Sequence, residues 1–232
     1  MPEFTPEEWT AIGLSLHVAV AATIASLPFA IFAGYALARW SFPGKSLLNA
    51  VLHLPLVLPP VVTGYLLLIY FGRQGPIGGL LYDAFGITFS FRWTGAALAA
   101  AVMAFPLMLR AIRLSFETVD RRLESAAATL GAGPLQTFFL VTLPLAAPGV
   151  LAGVVLCFAK ALGEFGATIT FVSNIPGETQ TIPSAIYSYT QVPGGESGAL
   201  RLAAVSFVIA LGALVVSEAL SRRLLKRTSV FQ

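Results

Sequence analysis

An all-α polytopic membrane protein with five spans is the fold class that three features of the sequence predict. Of the 232 residues, 56% are hydrophobic and only 11% are charged, where soluble domains carry about 25% charged residues. Mean hydropathy is +0.81. The charges are also unevenly spaced, with thirty positions between Glu8 and Arg39 holding none. Finally, at roughly 20 apolar residues per crossing, five crossings take about 100 residues and leave the rest for short loops and one larger connection. That length has no space for a second soluble domain, so residues 1–232 are expected to form a single transmembrane domain.

Charged residues delimit the spans, because a charge at the bilayer centre costs about 2.5 to 3.5 kcal/mol even on insertion-based scales. The first span is expected over 11–38, with Pro28 a kink that neighbouring helices tolerate. The residues before it are acidic (Glu3, Glu7, Glu8) and no Lys or Arg precedes Arg39, the reverse of a signal peptide's basic start, so this segment is read as retained. A second span fits 47–71, and Leu54-Pro55-Leu56-Val57-Leu58-Pro59-Pro60 should break or bend it near its first third. The third covers 93–114 and passes through Phe105-Pro106, the fourth covers 145–163 and the fifth 201–221. The connection from Glu164 to Leu200 is rich in Gly, Pro, Ser and Thr. Its apolar start, Phe165 to Val172, either lengthens the fourth helix or dips back into the membrane, and the sequence leaves both open.

Basic residues set orientation. Arg39, Lys45, Arg110, Arg113, Arg121, Arg122, Arg222, Arg223, Lys226 and Arg227, ten in all, fall on one side of five spans, and Arg73, Arg92 and Arg201, three, on the other. The N-terminus is therefore expected outside, and the C-terminus and the 110–143 connection in the cytoplasm. The net charge of +3 is accordingly read as a signal of membrane orientation. No basic group sits in an aromatic-rich soluble patch, so nucleic acid is not an expected partner. Cys157 is the only cysteine, which excludes a disulfide framework and a cysteine metal site. His17 and His53 lie apart, and each is expected to be packed or interfacial rather than a ligand.

Residues 124 to 144 are the informative part of the cytoplasmic connection. Ala126-Ala127-Ala128 suits a helix that another surface approaches closely. Gly131-Ala132-Gly133-Pro134 should stop that helix, since glycine permits the positive φ of a C-cap and proline suits the first turn of a new helix. By itself this helix, turn and helix could be a plain amphipathic connector. The spacing, however, resembles the signature loop of bacterial ABC importer permeases, in which Glu-Ala-Ala is followed by three residues, Gly, nine residues, Ile, one residue and Leu-Pro. Ala126 and Ala127 match the alanines, Gly131 the glycine, Val141 the isoleucine position, and Leu143 and Pro144 the final pair. Ser125 stands where the pattern has Glu, and Glu124 lies one position earlier, a shift of about 100° around a helix. The resemblance implies that 118–143 is a coupling loop whose helix docks on a cytoplasmic ATPase.

Three further segments, Leu52 to Val62, Gly163-Glu164-Phe165-Gly166-Ala167 and Asn174 to Pro183, narrow the resemblance to molybdate importer permeases, which covers the chain from about Trp9 to Arg223. Sulfate and thiosulfate permeases share parts of it but carry a longer N-terminus and extra spans, so sulfate, thiosulfate or tungstate import is the alternative. The resemblance implies a type I importer in the bacterial inner membrane, a periplasmic molybdate-binding protein, and two copies of a separate ATPase that binds the ATP. No cofactor is expected on this chain. Five spans make a thin wall for a pathway, and one coupling loop serves half of a two-ATPase engine, so a second copy of the chain is expected, with lipid around the pair.

No motor or enzyme is expected here. Gly44-Lys45-Ser46 imitates the end of a phosphate-binding loop, but Arg39 occupies the place of its first glycine and a span precedes it. No His-Glu-x-x-His, paired-Asp cluster or nucleophile with a base occurs. Candidates for the pathway are Lys160, Glu164, Phe165, Gly166, Pro59 and Pro60. Lys160, the one basic residue well inside a span, either faces an anionic substrate, pairs with Glu164 four residues on, or snorkels outward. Gly149 and Gly153 have the spacing of a close helix contact.

Overall fold

In the computed structural model, residues 4–228 are described, and the side chains of Ser217 and of everything beyond Leu220, among them Arg222, Arg223, Lys226 and Arg227, lie outside the described residues. Helices and loops make up all of the described residues, with no strand among them. Thr5 starts α1 (Pro6–Arg39). Its hydroxyl accepts from the Glu8 amide and the Glu8 carboxylate accepts from the Thr5 amide at 2.8 Å, a capping box that satisfies two otherwise orphaned donors. At 34 residues, α1 is about 50 Å long and exceeds the ~30 Å hydrocarbon core, so it tilts or protrudes. Pro28 sits inside it without ending it.

The next apolar stretch forms two helices, α2 (Lys45–Val57) and α3 (Pro60–Phe71), whose axes differ by 113°. The break falls at Leu58-Pro59, near the middle of the stretch and later than the first third that the sequence predicts. Pro55 is absorbed inside α2. Leu58, by contrast, precedes two consecutive prolines, which force it and Pro59 into extended backbone, ψ 141° and 133°. A short α4 (Pro76–Phe85), not foreseen in the sequence, leads to α5 (Trp93–Thr118). Then come α6 (Arg121–Thr129), α7 (Pro134–Thr137), a π-turn over Phe138–Thr142 and α8 (Leu143–Leu162). Beyond Leu162 lie α9 (Gly166–Val172), α10 (Ile182–Thr190) and α11 (Glu196–Thr228).

Among the described residues, four helical stretches are long and apolar enough to cross a membrane, Pro6–Arg39, Trp93–Thr118, Pro134–Leu162 and Glu196–Leu220, and counting the bent α2–α3 pair as one span brings the number to five. The fourth begins eleven residues before the 145 that the sequence predicts, because the π-turn joins α7 to α8 without interrupting the helix.

The core lies where α1, α5 and α8 meet. α5 is its centre, with Ala96, Ala99, Ala100, Ala104, Met108, Ile112 and Phe116 fully buried. Small side chains let the helix backbones approach, and they replace bulk as the packing element where lipid removes the hydrophobic drive. Gly149 and Gly153 of α8 are part of the same contact. A Cβ on Gly153 would lie 3.0 Å from the Met108 carbonyl oxygen, and one on Gly149 would collide with the Ser115 side chain. A second, smaller cluster of Ala11, Ile12, Ile182, Ala185 and Leu202 joins α1, α10 and α11. Two polar links fix it: the Ile182 amide donates to Ser15 Oγ at 2.6 Å, and Arg201 pairs with the buried Glu8 at 2.7 Å. The N-terminal part of α1 is therefore held to the start of α11.

Candidate functional site

Asp120 caps α6, its carboxylate accepting from the Arg122 amide at 2.8 Å. At the other end, the Gly131 amide donates to the Ala128 carbonyl and the Ala132 amide to the Ala127 carbonyl. With Leu130 as C-cap, this is a Schellman closure, and it requires the left-handed φ of +89° that Gly131 adopts. Nothing lies within 4 Å of where a Gly131 Cβ would stand, so only backbone conformation demands glycine there. No residue of α6 is buried. Ala126 and Ala128 are exposed and Ala127 half-buried, and the surrounding Leu123, Leu130 and Leu135 are exposed, Leu130 at 89%. This nine-residue helix therefore presents exposed alanines and unshielded leucines together on the surface.

One carboxylate hangs this helix on the membrane-embedded body. Glu124 Oε1 accepts from Arg39 Nη2 at 3.0 Å and from the Thr142 hydroxyl at 2.8 Å, and the same Arg39 nitrogen donates to the Val119 carbonyl at 2.9 Å. The Arg39 side chain is 8% exposed and that of Glu124 19%. The end of α1, the α5–α6 junction, α6 and the π-turn thus converge on one charged group. Glu124 reaches inward from a position one residue before the motif's usual acidic place, and Ser125 is exposed and bonds only to the Arg121 carbonyl of its own helix.

The last motif residues act on helix geometry. The Leu143 amide donates to the Phe138 carbonyl, five residues back. Pro144, in the first turn of α8, has no N–H, and its ring would press on the Leu140 carbonyl in a regular α-helix. The widened turn relieves that pressure and brings the Thr142 hydroxyl to Glu124. Val141 and Leu143 are half-buried, and Leu143 packs against the core.

A second constellation lies at the opposite end of α8, since Lys160 stands seventeen residues beyond Leu143, about 25 Å along the axis. Lys160 Nζ and Glu164 Oε2 form an ion pair at 2.8 Å, with the lysine side chain 33% and the glutamate 2% exposed. Glu164 Oε1 accepts from the Ala167 amide at 3.1 Å, so the carboxylate also serves the first turn of α9. Gly166 rests on Pro60, where a Cβ would lie 2.7 Å from the proline's Cβ, and Gly64 of α3 abuts Ala167. Phe165 stacks at a tilt on Tyr187 of α10, with ring centroids 5.3 Å apart. The segments around 52–62 and 163–167, far apart in the chain, therefore meet at the α3–α9 contact. Lys160, Glu164, Phe165, Gly166 and Pro60 are brought together there, and Pro59 makes the bend just before it. Of the two alternatives for the apolar start of the long connection, lengthening α8 does not occur: the segment forms a separate helix, α9, which packs on α3 and α5 with Phe171 and Val172 buried.

Several polar groups that position these parts went unread in the sequence. In the sequence Arg39 reads as a charge that ends and orients a span, and Thr142 carries no signal. The charge that closes a long charge-free run could have drawn attention to Arg39, but nothing local in the sequence pairs it with Glu124, eighty-five residues away. His17 sits edge-on to Trp93 with centroids 4.4 Å apart. The described residues contain no cluster of His, Cys, Asp or Glu suited to a metal.

Residues 26–227 match the family of binding-protein-dependent transport system inner membrane components. The chain is 63% identical over 218 residues, 94% of its own length and 95% of the relative's, to the molybdenum transport system permease protein ModB of Escherichia coli. It is 59% identical over 220 residues, 95% and 96% of the two lengths, to the protein of the same name from Haemophilus influenzae. Among solved structures, a bacterial alginate ABC transporter bound to its periplasmic protein superposes with a TM-score of 0.74 at 16% identity, over 94% of this chain and 80% of the other. That likeness is one of fold.

Proposed function

The chain belongs to the binding-protein-dependent transport system inner membrane components, and from that premise we propose that it is the molybdate-conducting subunit of an ATP-driven importer, working as a pair of identical copies. As a member of that family it is a multi-pass inner-membrane transport subunit, not an enzyme, and it works with a separate ATPase and a periplasmic binding protein. The observation that carries the substrate is the 63% identity to a molybdenum permease, spread over 94% of this chain. Molybdate is accordingly the ion that its binding protein delivers, and ATP stays on the partner, with two ATPase copies meeting two α6 helices.

The geometry supports a mechanical role. The exposed Ala126 and Ala128 of α6, with Leu123, Leu130 and Leu135 also exposed, offer the ATPase a small apolar knob. Ala126, Ala127 and Gly131 shape that knob, Glu124 ties it to Arg39 and Thr142, and Val141, Leu143 and Pro144 set the angle of α8. When the ATPase pair closes, α6 moves as one body. Glu124 passes the displacement to the end of α1, and the π-turn passes it to α8, both of which pack on α5. At the far end, Lys160, Glu164, Phe165 and Gly166 against Pro59 and Pro60 form the candidate external part of the pathway. The ten-to-three distribution of Lys and Arg supports α6 in the cytoplasm, the N-terminus outside and the C-terminus inside.

The test is uptake of labelled molybdate into proteoliposomes holding the permease, its ATPase and the loaded binding protein, with tungstate and sulfate as competitors. Uptake that requires ATP and is blocked by tungstate but not by equal sulfate supports the reading. ATP-dependent uptake of sulfate with no uptake of molybdate overturns it.

A further inference from the structure

At the α6 end of the molecule, a cavity of about 380 Å³ opens between α2 and the last turns of α5, lined by Asn49, His53, Arg110, Arg113, Leu114 and Glu117. None of these residues belongs to the coupling unit or to the α3–α9 contact. The wall is cationic. Arg113 donates through Nε to Glu117 at 2.8 Å and through Nη1 to Asn49 Oδ1 at 2.8 Å, which leaves most of its five N–H donors unused. Asn49 is thereby turned so that its amide nitrogen stays free to donate. Arg110, one turn earlier on α5, is exposed, and its side chain makes no hydrogen bond or ion pair with any described residue. His53 Nδ1 lies 2.8 Å from the Asn49 carbonyl. A carbonyl only accepts, so Nδ1 carries the proton and Nε2 is the nitrogen left over. Glu117 is the single carboxylate of the lining, already engaged by Arg113, against the two guanidiniums of Arg110 and Arg113 on the same wall.

We propose that this pocket is an oxyanion cradle, in which Arg110 and Arg113 grip a tetrahedral oxyanion while Asn49 holds the Arg113 fork in place. Two guanidiniums with planar, multiply donating faces suit tetrahedral oxygens better than a point charge does. The volume, many times the ~30 Å³ that a water takes in the liquid, accommodates such an ion with part of its hydration. Two sources share this chemistry: the transported ion on its way out, and the phosphate of an anionic lipid headgroup. Choosing molybdate or tungstate as the free ion rests on the proposed function, whereas the cradle itself does not.

Leu114 is exposed on the wall, so a Leu114→Cys chain with the buried Cys157 left in place reports on the pocket. The permease–ATPase complex in nanodiscs is treated with a sulfonate-bearing and an ammonium-bearing thiosulfonate reagent, each rate normalised to a free thiol. The cradle predicts faster modification by the anionic reagent. In nanodiscs of zwitterionic lipid, tungstate should slow that modification, and Arg110→Gln should weaken the protection about tenfold, the size of one charge-assisted hydrogen bond. Arg110→Lys should keep most of it. Protection by phosphatidylglycerol but not by tungstate assigns the cradle to a lipid phosphate. Equal rates for the two reagents with no protection by either anion overturn the proposal, and that comparison on the Leu114→Cys chain decides even if Arg110→Gln fails to assemble. Uptake measured with the same protein reconstituted in proteoliposomes keeps the two readings apart, because loss of molybdate transport in the parent chain removes the substrate and leaves the labelling result standing.

Discussion

Replacing Glu124 by Ala should release α6 from the membrane-embedded body without unfolding that body. The substitution removes the 3.0 Å bond from Arg39 and the 2.8 Å bond from Thr142. It also strands a guanidinium whose side chain is 8% exposed, leaves it only the Val119 carbonyl, and does so beside an Arg39 Nε that already lacks a partner. Hydrogen bonds to charged groups contribute about 1.5 to 3 kcal/mol each, and breaking a buried pair costs about 3 to 5 kcal/mol. Because Glu124 is partly exposed, about 3 kcal/mol is the reasonable size, which shifts the docked-to-undocked ratio of α6 by roughly a hundredfold. Hydrogen exchange reads this directly: the amides of Arg121–Thr129 should lose protection while those in the buried centre of α5 keep theirs. Affinity for the ATPase and coupled uptake should fall together. Glu124→Gln, which retains a neutral acceptor for both donors, should fall between. Adding Arg39→Met to Glu124→Ala should recover stability lost to the stranded cation but leave α6 unprotected. If Glu124→Ala leaves α6 exchange and ATPase affinity unchanged, the clasp is not what holds the helix, and the route from α6 to α1 is wrong.

Three other outcomes follow from the same geometry. Gly131→Val should leave the permease in the membrane but weaken its hold on the ATPase. A Cβ at φ +89° clashes with nothing, so the effect is backbone strain alone, about 1 to 2 kcal/mol; normal ATPase binding and transport by this variant would withdraw the hinge assignment. Lys160→Ala should lower the yield of assembled complex, because it leaves Glu164, 2% exposed, without its cation, at a cost of about 3 kcal/mol. Lys160→Met with Glu164→Gln should restore assembly, so flux through that double variant isolates any part the cation plays in moving an anion, and full flux would exclude one. Cysteines at Gly177 and Pro193 should label from the periplasm and one at Thr137 only after the inner membrane is opened; labelling of Thr137 from outside would reverse the orientation.

What the sequence by itself determined is what depends on composition and on neighbours a few residues away. Charge-free runs demand helices that satisfy their own backbone in lipid, and that demand marks out the long apolar helices of α1, α5, α8 and α11. Gly131 followed by Gly133-Pro134 closes α6 through bonds spanning no more than five residues, so its cap is legible in the chain. Tertiary structure alone decided which distant polar groups meet. Arg39 with Glu124, Glu8 with Arg201 and Arg113 with Asn49 are separated by 85, 193 and 64 residues. Each is ordinary in its local setting, as an orientation charge, a helix cap or a surface side chain. The place of the bend after α2 was, by contrast, set locally: two prolines in a row exclude helix at Leu58, whereas the lone Pro55 is absorbed inside α2. Local sequence sets where a helix can run, because backbone hydrogen bonds are short-range. It does not set which charge Glu124 will face, because that depends on how α1, α5 and α8 close on one another through small side chains that carry no directional signal in the sequence.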